Sequence, residues 1–388
     1  MAAERDHDVV VFGATGFTGA LTAQYLARNA PEGLRWALAG RNREKLERLR
    51  GELGADVPLL ECDVENPATV RDMAASARVV ITTVGPYIEY GEPLVVACAE
   101  EGTDYVDLTG EPEFVDLMYV RHHARAQETG ARIVHACGFD SIPHDLGAYF
   151  TVKQLPENVP LKLEGVVRAG GTFSGGTFAS ALTAFSRVRS YARVSGERRK
   201  LEPRDGGRRA RGVKGAPKHD SELGWLLPFP TIDPQIVLRS ARALDRYGPD
   251  FSYGHYVAIK RLPVAAGLVG GVAGLFAVAQ VPPARKFLMS RRKPGEGPTP
   301  EQREKGWFRV RFRGQGGGRR VETEVSGGDP GYGETAKMLA ESALCLAEDD
   351  LPQTAGQVTT AEAMGDALTE RLQNAGIEFS VLSSSSSA

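Results

Sequence analysis

Over the first 150 residues, short segments rich in apolar residues alternate with segments that carry apolar residues at helical spacing. The first of them, Val9–Phe12, is continuously apolar, which suits a strand that is covered on both faces of a parallel sheet. The predicted strands lie within residues 9–12, 34–40, 57–64, 77–84, 104–111 and 131–139. This alternation predicts an α/β fold in which residues 1–150 form a Rossmann-type, doubly wound parallel sheet of six strands.

After residue 150 the pattern changes. Segments 161–169 and 255–262 have strand character, and residues 306–314 and 319–327 alternate apolar and polar positions, as half-buried antiparallel strands do. We therefore predict a second, α+β domain over residues 151–330. Asp233 is expected to cap a helix within it, an architectural role. Residues 331–350 are predicted to form another helix, and the serines at 383–387 a disordered tail.

A glycine-rich turn links the first apolar run to a helical pattern. Without a Cβ, Gly13 permits a tight turn, Gly16 lets a pyrophosphate approach the backbone, and Gly19 lets the helix lie close to the strand. The helix N-terminus offers free N–H groups and a positive dipole end to phosphates. We favour dinucleotide binding over a plain βα turn. The residues assigned to the cofactor here are Gly13, Thr15, Gly16, Phe17, Thr18 and Gly19.

The end of the second predicted strand indicates which dinucleotide binds. An acidic residue there would bond to the ribose hydroxyls and repel an added phosphate, but the chain instead carries Arg41, Asn42 and Lys45. A guanidinium can hold a 2′-phosphate in a fork geometry, so NADP(H) is predicted rather than NAD(H). The alternative is that these residues only form the solvated first turn of the next helix.

Composition excludes several classes of function. The formal net charge of −2 gives no general basis for nucleic-acid binding. The four cysteines are far apart and form no CxxC pair, and no His, Cys and Asp residues show metal-ligand spacing, so neither disulfides nor a metal are expected. The polar, charged N-terminus is unlike a signal peptide. We expect a cytoplasmic protein, and peripheral contact with the inner face of the membrane is compatible with this location.

Eight segments together resemble one family. They are GATGFTG, AGRNREKL, TTVGPY, YVDLTGE, CGFDSIPHDLG, GGTFSGGTFAS, YGPDFSYGHY and GGDPGYGETAKMLAESALCLA. The chain resembles the saccharopine dehydrogenase-like oxidoreductases, and within them the trans-acting enoyl reductases that work beside polyketide synthases in lipid assembly. The resemblance implies that NADPH reduces a C=C bond conjugated to a thioester carbonyl. It also implies that C-terminal helices, within residues 331–388, return to the nucleotide domain.

Two other functions stay open at this point. One is a saccharopine-type amino-acid dehydrogenase acting on a C–N bond, which would need cationic residues in the cleft for substrate carboxylates. The other is a non-catalytic NADPH-binding protein at the periphery of a membrane. Substrate turnover separates the three functions. An enoyl reductase turns over enoyl thioesters, an amino-acid dehydrogenase turns over amino or keto acids, and a non-catalytic protein turns over neither.

Candidate site residues follow the predicted strands, because ligands lie outside the carboxyl ends of a doubly wound sheet. Asp63, Val84, Gly85 and Pro86 are assigned to the cofactor. Enoyl reduction needs a donor for the carbonyl oxygen and a proton for the α-carbon. The candidates for these catalytic roles are Tyr87, Asp140 and His144, and further polar candidates are Ser141, Thr172 and Ser174. Each has a structural alternative, such as helix capping by Ser141.

Two later segments bear on partners. Residues 195–221 are glycine-rich and basic and are predicted to form a mobile loop, which would attract an acyl carrier domain or anionic lipid. The apolar segment 262–289 begins with a charge-free run, 262–281, and basic residues follow it. A single membrane span would separate parts of one fold, so it is rejected. A buried helix and a monotopic membrane insertion remain as alternatives.

Overall fold

The structure is a computed structural model that describes residues 5–170, 182–183, 185–202, 208–281, 283–284 and 298–386. Its first sheet has seven parallel strands in the spatial order β14-β6-β5-β4-β1-β2-β3. The strands are β1 (His7–Phe12), β2 (Trp36–Gly40), β3 (Leu59–Glu61), β4 (Ala77–Thr82), β5 (Asp104–Asp107), β6 (Arg132–Val134) and β14 (Gly356–Val358). The predicted Rossmann-type sheet is therefore confirmed.

Helices cover both faces of this sheet. They are α1 (Phe17–Asn29), α2 (Arg43–Leu53), α3 (Pro67–Ser76), α4 (Tyr87–Tyr90), α5 (Glu92–Glu101) and α6 (Pro112–Thr129). In β1, Val9 and Val11 belong to one hydrophobic core and Val10 to the other, and all three are fully buried. This double burial explains why the strand is continuously apolar.

The second sheet is mixed and has the order β15-β13-β12-β7-β11-β10-β9, with β8 also paired to β11. Its strands are β7 (Leu161–Gly170), β8 (Arg209–Gly212), β9 (Lys218–Asp220), β10 (Gly224–Pro228), β11 (Asp250–Ile259), β12 (Trp307–Gly316), β13 (Arg319–Gly327) and β15 (Glu378–Ser386). The pairs β7–β11 and β8–β11 are parallel, and the other pairs are antiparallel.

The remaining helices follow β6 in the chain. They are α7 (Ile142–Val152), α8 (Val188–Leu201), α9 (Asp233–Ala243), α10 (Leu262–Ala279), α11 (Pro300–Glu304), α12 (Gly333–Glu348), α13 (Thr360–Ala363) and α14 (Gly365–Asn374), with a 3₁₀ turn at Asp245–Tyr247. Helix α7 begins soon after β6 and packs on the second sheet so closely that a Cβ on Gly147 would lie 2.3 Å from the Phe312 ring. It therefore carries residues from the edge of one sheet to the face of the other.

The C-terminal region returns to the nucleotide sheet, as predicted. Helix α12 packs against α1, where the Tyr25 hydroxyl donates to Glu341 at 2.6 Å. This region also adds β14 beside β6, a seventh strand that the six segments rich in apolar residues did not predict.

The serine-rich tail is ordered over most of its length, so the prediction of disorder is wrong there. Residues Ser383–Ser386 belong to β15 and pair with residues 319–322 of β13. Backbone N–H and C=O groups hold such an edge strand, so its composition carries little signal. Ser387 lies outside the described residues.

The prediction of a mobile loop at 195–221 is also wrong for much of that segment. Helix α8 runs to Leu201, and β8 and β9 join the second sheet. Arg198 is only 6% exposed and lies over the Tyr119 ring at 4.7 Å, because its long side chain packs against α6. Arg208 and Arg211 pair with Asp245 and Asp250 at 2.7 and 3.0 Å. Attraction of an acidic partner by this segment stays a prediction.

Helix α10 is exposed over most of its surface. Its 18 residues have a mean hydropathy of 2.0, yet only 11% of them are buried, so the buried-helix alternative is wrong. Among the described helices, only this one has the length and composition to cross a membrane. However, β11 precedes it and β12 follows it, and both strands pair with β7. A simple span is incompatible with that pairing, because it would place the two strands on opposite sides of the membrane.

Candidate active site

The glycine turn sits between β1 and α1 and leaves no room for a Cβ at Gly13 or Gly19. Gly13 has a φ of +81°, and a Cβ there would lie 2.8 Å from both Thr83 Oγ1 and Val84 Cγ2. A Cβ on Gly19 would lie 2.2 Å from the Gly13 carbonyl oxygen. The turn is therefore tight for the reason predicted, and Val84 at the end of β4 lies directly against it.

The N-terminus of α1 is available to an anion. Gly16 is its N-cap, no side chain of the described residues caps it, and Thr15 and Gly16 are exposed. The Phe17 ring packs edge-on against Tyr332 at 4.7 Å, which fixes the first turn of α1 against the loop before α12. Helix N-termini of this kind bind phosphate, so the residues present fit a dinucleotide.

The predicted phosphate-binding corner lies at the end of β2. Arg41 and Lys45 are exposed there, and Thr15 Oγ1 lies 4.0 Å from the Cβ position of Gly40, so the corner adjoins the glycine turn. The Asn42 side chain accepts from the Lys45 N–H at 2.8 Å and caps α2. The structure thus places Arg41 beside the glycine turn, where its contact with a 2′-phosphate stays a prediction, and gives Asn42 a capping role.

The other predicted cofactor residues lie at the same edge of the sheet. Asp63 follows β3, where its Oδ1 accepts from the Glu65 N–H at 3.1 Å. Gly85 and Pro86 follow β4 and lead into α4. The carboxyl ends of β1 to β4 therefore bring all of the predicted cofactor positions to one edge, although no ligand contact tests their individual roles.

Tyr87, predicted to be catalytic, points into the interior. It is 5% exposed, and its hydroxyl donates to the Thr82 carbonyl oxygen at 3.1 Å. Burial, with the charge of Asp107, raises the pKa of Tyr87 well above its usual value. The N–H groups of Tyr87 and Ile88 donate to the buried Glu111 carboxylate at 3.1 and 2.9 Å. The geometry therefore favours a structural role for Tyr87, and its catalytic role stays a prediction.

Sequence reasoning did not select a buried pair at the ends of β5 and β6, which consists of Asp107 and His135. Asp107 Oδ2 lies 2.7 Å from His135 Nδ1 and accepts from the Tyr105 hydroxyl at 2.9 Å. Its Oδ1 accepts from the N–H groups of Thr109 and Ala136. These bonds tie the ends of the two strands together. An acidic residue inside an otherwise apolar run was the signal that could have identified it.

The main polar feature of the interior is a cluster that we call the buried polar cluster: Asp140, His144, Asp233 and His255. His144 Nδ1 lies 3.3 Å from Asp233 Oδ1, and His255 Nε2 lies 3.4 Å from Asp233 Oδ2. The His144 and Asp233 side chains are each 1% exposed. The cluster brings together two of the predicted catalytic residues with two that were not predicted.

Asp233 and Ser141 differ from the sequence-based expectations. Helix α9 begins at Asp233 with Ile232 as its N-cap, so the carboxylate faces two imidazoles rather than capping the helix. Ser141 precedes α7 but makes no side-chain capping bond. Thr172 and Ser174 lie outside the described residues.

The protonation of the cluster follows from its burial. Burial, reinforced by the charge of Asp233, raises the pKa of Asp140 to about 7. Burial lowers the pKa of His144 to about 4, which keeps the imidazole neutral. Burial acts to raise the pKa of Asp233 as well, but the two imidazoles outweigh it, so the net direction is downward. Asp140 is partly exposed, whereas the other three side chains are buried.

Comparison with known proteins identifies the nucleotide domain. The family described as the saccharopine dehydrogenase NADP binding domain matches residues 9–134, which include the glycine turn and Arg41. This match confirms NADP as the cofactor.

The whole chain is similar to trans-acting enoyl reductases. One from Mycobacterium ulcerans is 37% identical over 412 residues, covering 98% of each chain. One from Mycobacterium tuberculosis is 38% identical over 414 residues, covering 97% of each chain. Another Mycobacterium tuberculosis protein, provisionally given the same name, is 41% identical over 416 residues, covering 97% of this chain and 98% of its own.

A solved structure shares the fold. The apo, histidine-tagged saccharopine dehydrogenase (L-Glu forming) from Saccharomyces cerevisiae has a TM-score of 0.56 and 12% sequence identity. The alignment covers 97% of this chain and 100% of that chain. At this identity the likeness extends to the fold alone.

Proposed function

Because the chain belongs to the trans-acting enoyl reductase family, we propose that it uses NADPH to reduce a C=C bond conjugated to a thioester carbonyl. Its substrate is an acyl or polyketide chain on a separate synthase or acyl carrier, and its product enters lipid biosynthesis. The observation that carries this proposal is the similarity to named enoyl reductases along 97–98% of both chains. The NADP-binding turn supports it.

The reaction divides the work between cofactor and chain. NADPH, when bound, supplies hydride to the β-carbon, and the chain must then deliver a proton to the α-carbon. Of the three predicted catalytic residues, Tyr87 is 5% and His144 is 1% exposed, whereas Asp140, in the segment between β6 and α7, is partly exposed. We therefore assign proton donation to Asp140, with His144 and Asp233 behind it as positioning residues.

Among the described residues, Asp233 and His255 are the titratable side chains that shift the pKa values of Asp140 and His144. An amino-acid substrate would also need cationic partners for its carboxylates. Turnover of keto acids is therefore the outcome that the assay must separate from turnover of enoyl thioesters.

The proposal is tested by following NADPH oxidation with a panel of enoyl thioesters of different chain lengths, free and carrier-bound. We expect turnover with enoyl thioesters and a product heavier by two hydrogens in mass spectrometry. Turnover only with keto acids and ammonia would instead establish the amino-acid dehydrogenase. Tight NADPH binding without turnover of either class would identify a non-catalytic protein.

We also propose that α10 lies in the interfacial region of an anionic membrane, on its cytoplasmic face. Leu262, Val264 and Val269 are each more than half exposed, which is costly in water for an apolar helix. Basic residues flank the helix in the sequence: Lys260, Arg261, Arg285, Lys286, Arg291, Arg292 and Lys293. This combination of an apolar helix and basic flanks suits an anionic lipid surface.

Vesicle flotation tests this location. We expect the chain to float with phosphatidylglycerol vesicles and much less with phosphatidylcholine. A Val264→Asp/Val269→Asp variant should stay in solution, whereas Val213→Asp, another exposed valine, should float normally. Absence of flotation in the wild type would overturn the proposal. A concentration-dependent dimer that the double variant abolishes would assign the helix to a second copy of the chain.

A further inference from the structure

The buried polar cluster contains polar atoms without partners. Neither ring nitrogen of His144 makes a hydrogen bond of normal geometry to the residues that the structure describes, and the same holds for Asp233 Oδ1, although His144 Nδ1 and Asp233 Oδ1 lie 3.3 Å apart. The Ser141 hydroxyl, three residues before His144, also has no hydrogen-bond partner among the described residues. Nearly all buried polar atoms in proteins are paired, because an unpaired one loses its hydration without compensation. So many in one place indicate a ligand.

Three side chains of the buried polar cluster, His144, Asp233 and His255, are arranged as metal ligands. One potential ligand atom from each of His144, Asp233 and His255 lies within 4.8 Å of the other two. The separation of His144 Nδ1 from Asp233 Oδ1, 3.3 Å, exceeds the length of about 2.7–2.9 Å that is usual for charge-assisted hydrogen bonds. It matches the separation of about 3.3 Å expected between two tetrahedral ligands with bonds of about 2.0–2.1 Å.

We propose that His144, Asp233 and His255 bind a divalent transition-metal ion of the zinc class. Two imidazoles and one carboxylate are ligands that Zn²⁺ accepts, and a single buried carboxylate with two neutral imidazoles leaves the ion's charge only partly compensated, as in known zinc sites. The absence of a metal was expected from sequence spacing alone. That spacing does not show a site assembled from separate elements.

Neighbouring groups orient two of the ligands. The Thr231 hydroxyl donates to Asp233 Oδ2, leaving Oδ1 for the ion. The Tyr253 hydroxyl lies 3.1 Å from His255 Nδ1, and the Thr231 hydroxyl lies 3.3 Å from His255 Nε2. In the tautomer in which Nδ1 donates its proton to Tyr253, Nε2 offers its lone pair to the ion. Such outer contacts are typical of metal-binding histidines and carboxylates. The Phe139 ring packs edge-on against His144 at 5.5 Å and shields the site.

The ion would join elements of both sheets. His144 lies on α7, which follows the last strand of the parallel sheet before the second domain, and His255 lies on β11 of the second sheet. Asp233 lies at the start of α9 between them. Binding would therefore stabilise the packing of the two domains beneath Asp140. This role is additional to NADPH-dependent reduction and does not depend on it.

The test uses the full chain, produced without a polyhistidine tag and purified without chelators. We expect about one equivalent of bound metal by elemental mass spectrometry. After chelator treatment, Co²⁺ should restore the metal and give the intense visible absorption of a tetrahedral site. Addition of Zn²⁺ should raise the unfolding temperature, since a ligand that binds only the folded state stabilises it.

Two conservative variants remove ligands while keeping side-chain size. His255→Gln and Asp233→Asn should weaken metal binding by at least about 100-fold, because loss of an outer contact alone costs about 10–100-fold. His219→Gln, which changes an exposed histidine on β9, is the control and should bind normally. Equal binding by His255→Gln and the control would overturn the proposal.

The wild-type chain decides the question even if a variant fails to fold. No saturable Zn²⁺ binding, or a Co²⁺ spectrum without tetrahedral bands, contradicts the site. Because metal content and the Co²⁺ spectrum do not depend on turnover, failure of the enoyl reductase assay leaves this test intact.

Discussion

The glycine turn and the buried polar cluster are built in opposite ways. The turn occupies consecutive residues between β1 and α1, and its function lies in backbone N–H groups that the absence of side chains exposes. The cluster draws His144, Asp233 and His255 from α7, α9 and β11, and its function lies in side chains. A local backbone site leaves a contiguous pattern in the sequence, whereas a side-chain site assembled by packing leaves none.

The sharpest test of the cluster is Asp140→Asn. Since general acid catalysis contributes about 10²–10⁴-fold, we expect kcat to fall about 1,000-fold, with NADPH affinity unchanged. Steady-state kinetics with an enoyl thioester and fluorescence titration with NADPH measure the two effects. Asp72→Asn, an exposed change on α3, is the control. Wild-type kcat in Asp140→Asn would remove Asp140 from the reaction.

In the glycine turn, Gly19→Ala should lower the free energy of unfolding by about 3 kcal/mol, at the upper end for overpacking. The added Cβ would meet the Gly13 carbonyl oxygen at 2.2 Å and push α1 away from β1, so NADPH binding should weaken as well. Urea unfolding and NADPH titration check both. Gly51→Ala, where a Cβ meets nothing within 4 Å, should be neutral or slightly stabilising. An equal change in stability and in NADPH binding for the two variants would show that the close approach of α1 to the Gly13 carbonyl is unimportant.

The corner at β2 tests a side chain within the local site. Arg41→Ala should weaken NADPH binding about 10- to 100-fold, because a charge-assisted bond contributes about 1.5–3 kcal/mol, and should leave NADH binding unchanged. Calorimetric titration with each coenzyme measures the difference. Arg48→Ala, another exposed arginine on α2, should behave like the wild type. Equal losses for both coenzymes would place the Arg41 contact elsewhere than on the 2′-phosphate.

The smallest expected effect tests another long-range contact. His123 Nδ1 accepts from the Gln357 N–H of β14 at 2.9 Å, and burial, with nearby Arg198 and Arg239, lowers the pKa of His123 to about 4. Between pH 6.5 and 4 the unfolded chain therefore binds a proton that the folded chain does not, so stability falls as pH falls.

The variant His123→Gln keeps an acceptor but does not titrate. Relative to it, the wild type should lose about 1 kcal/mol of unfolding free energy between pH 7 and pH 4.5, a value reduced for partial solvent exposure. Urea unfolding at the two pH values measures the loss. Parallel pH dependences of the two proteins would show that His123 is not protonated differently on unfolding.

Three elements outside the first six strands, β14, β15 and α10, show which parts of the fold the sequence did not predict. The six segments rich in apolar residues identified strands β1 to β6, since burial on both faces of a sheet favours apolar residues. Strand β14, with Gln357 at its centre, and β15, with its serines, have no such pattern. Both are edge strands, and backbone hydrogen bonds hold β14 against β6 and β15 against β13. Such bonds form with almost any side chain. Likewise, the apolar sequence of α10 did not distinguish a buried helix from an exposed one.

The sequence by itself determined the parallel sheet, the glycine turn and the cofactor type, because each depends on residues that are adjacent in the chain. Only the tertiary structure decided that the Tyr87 hydroxyl is engaged with Thr82, that α10 is exposed, and that Asp233 faces His144 and His255. These outcomes depend on which elements pack together. Their partners are distant in sequence, so no local pattern specifies them.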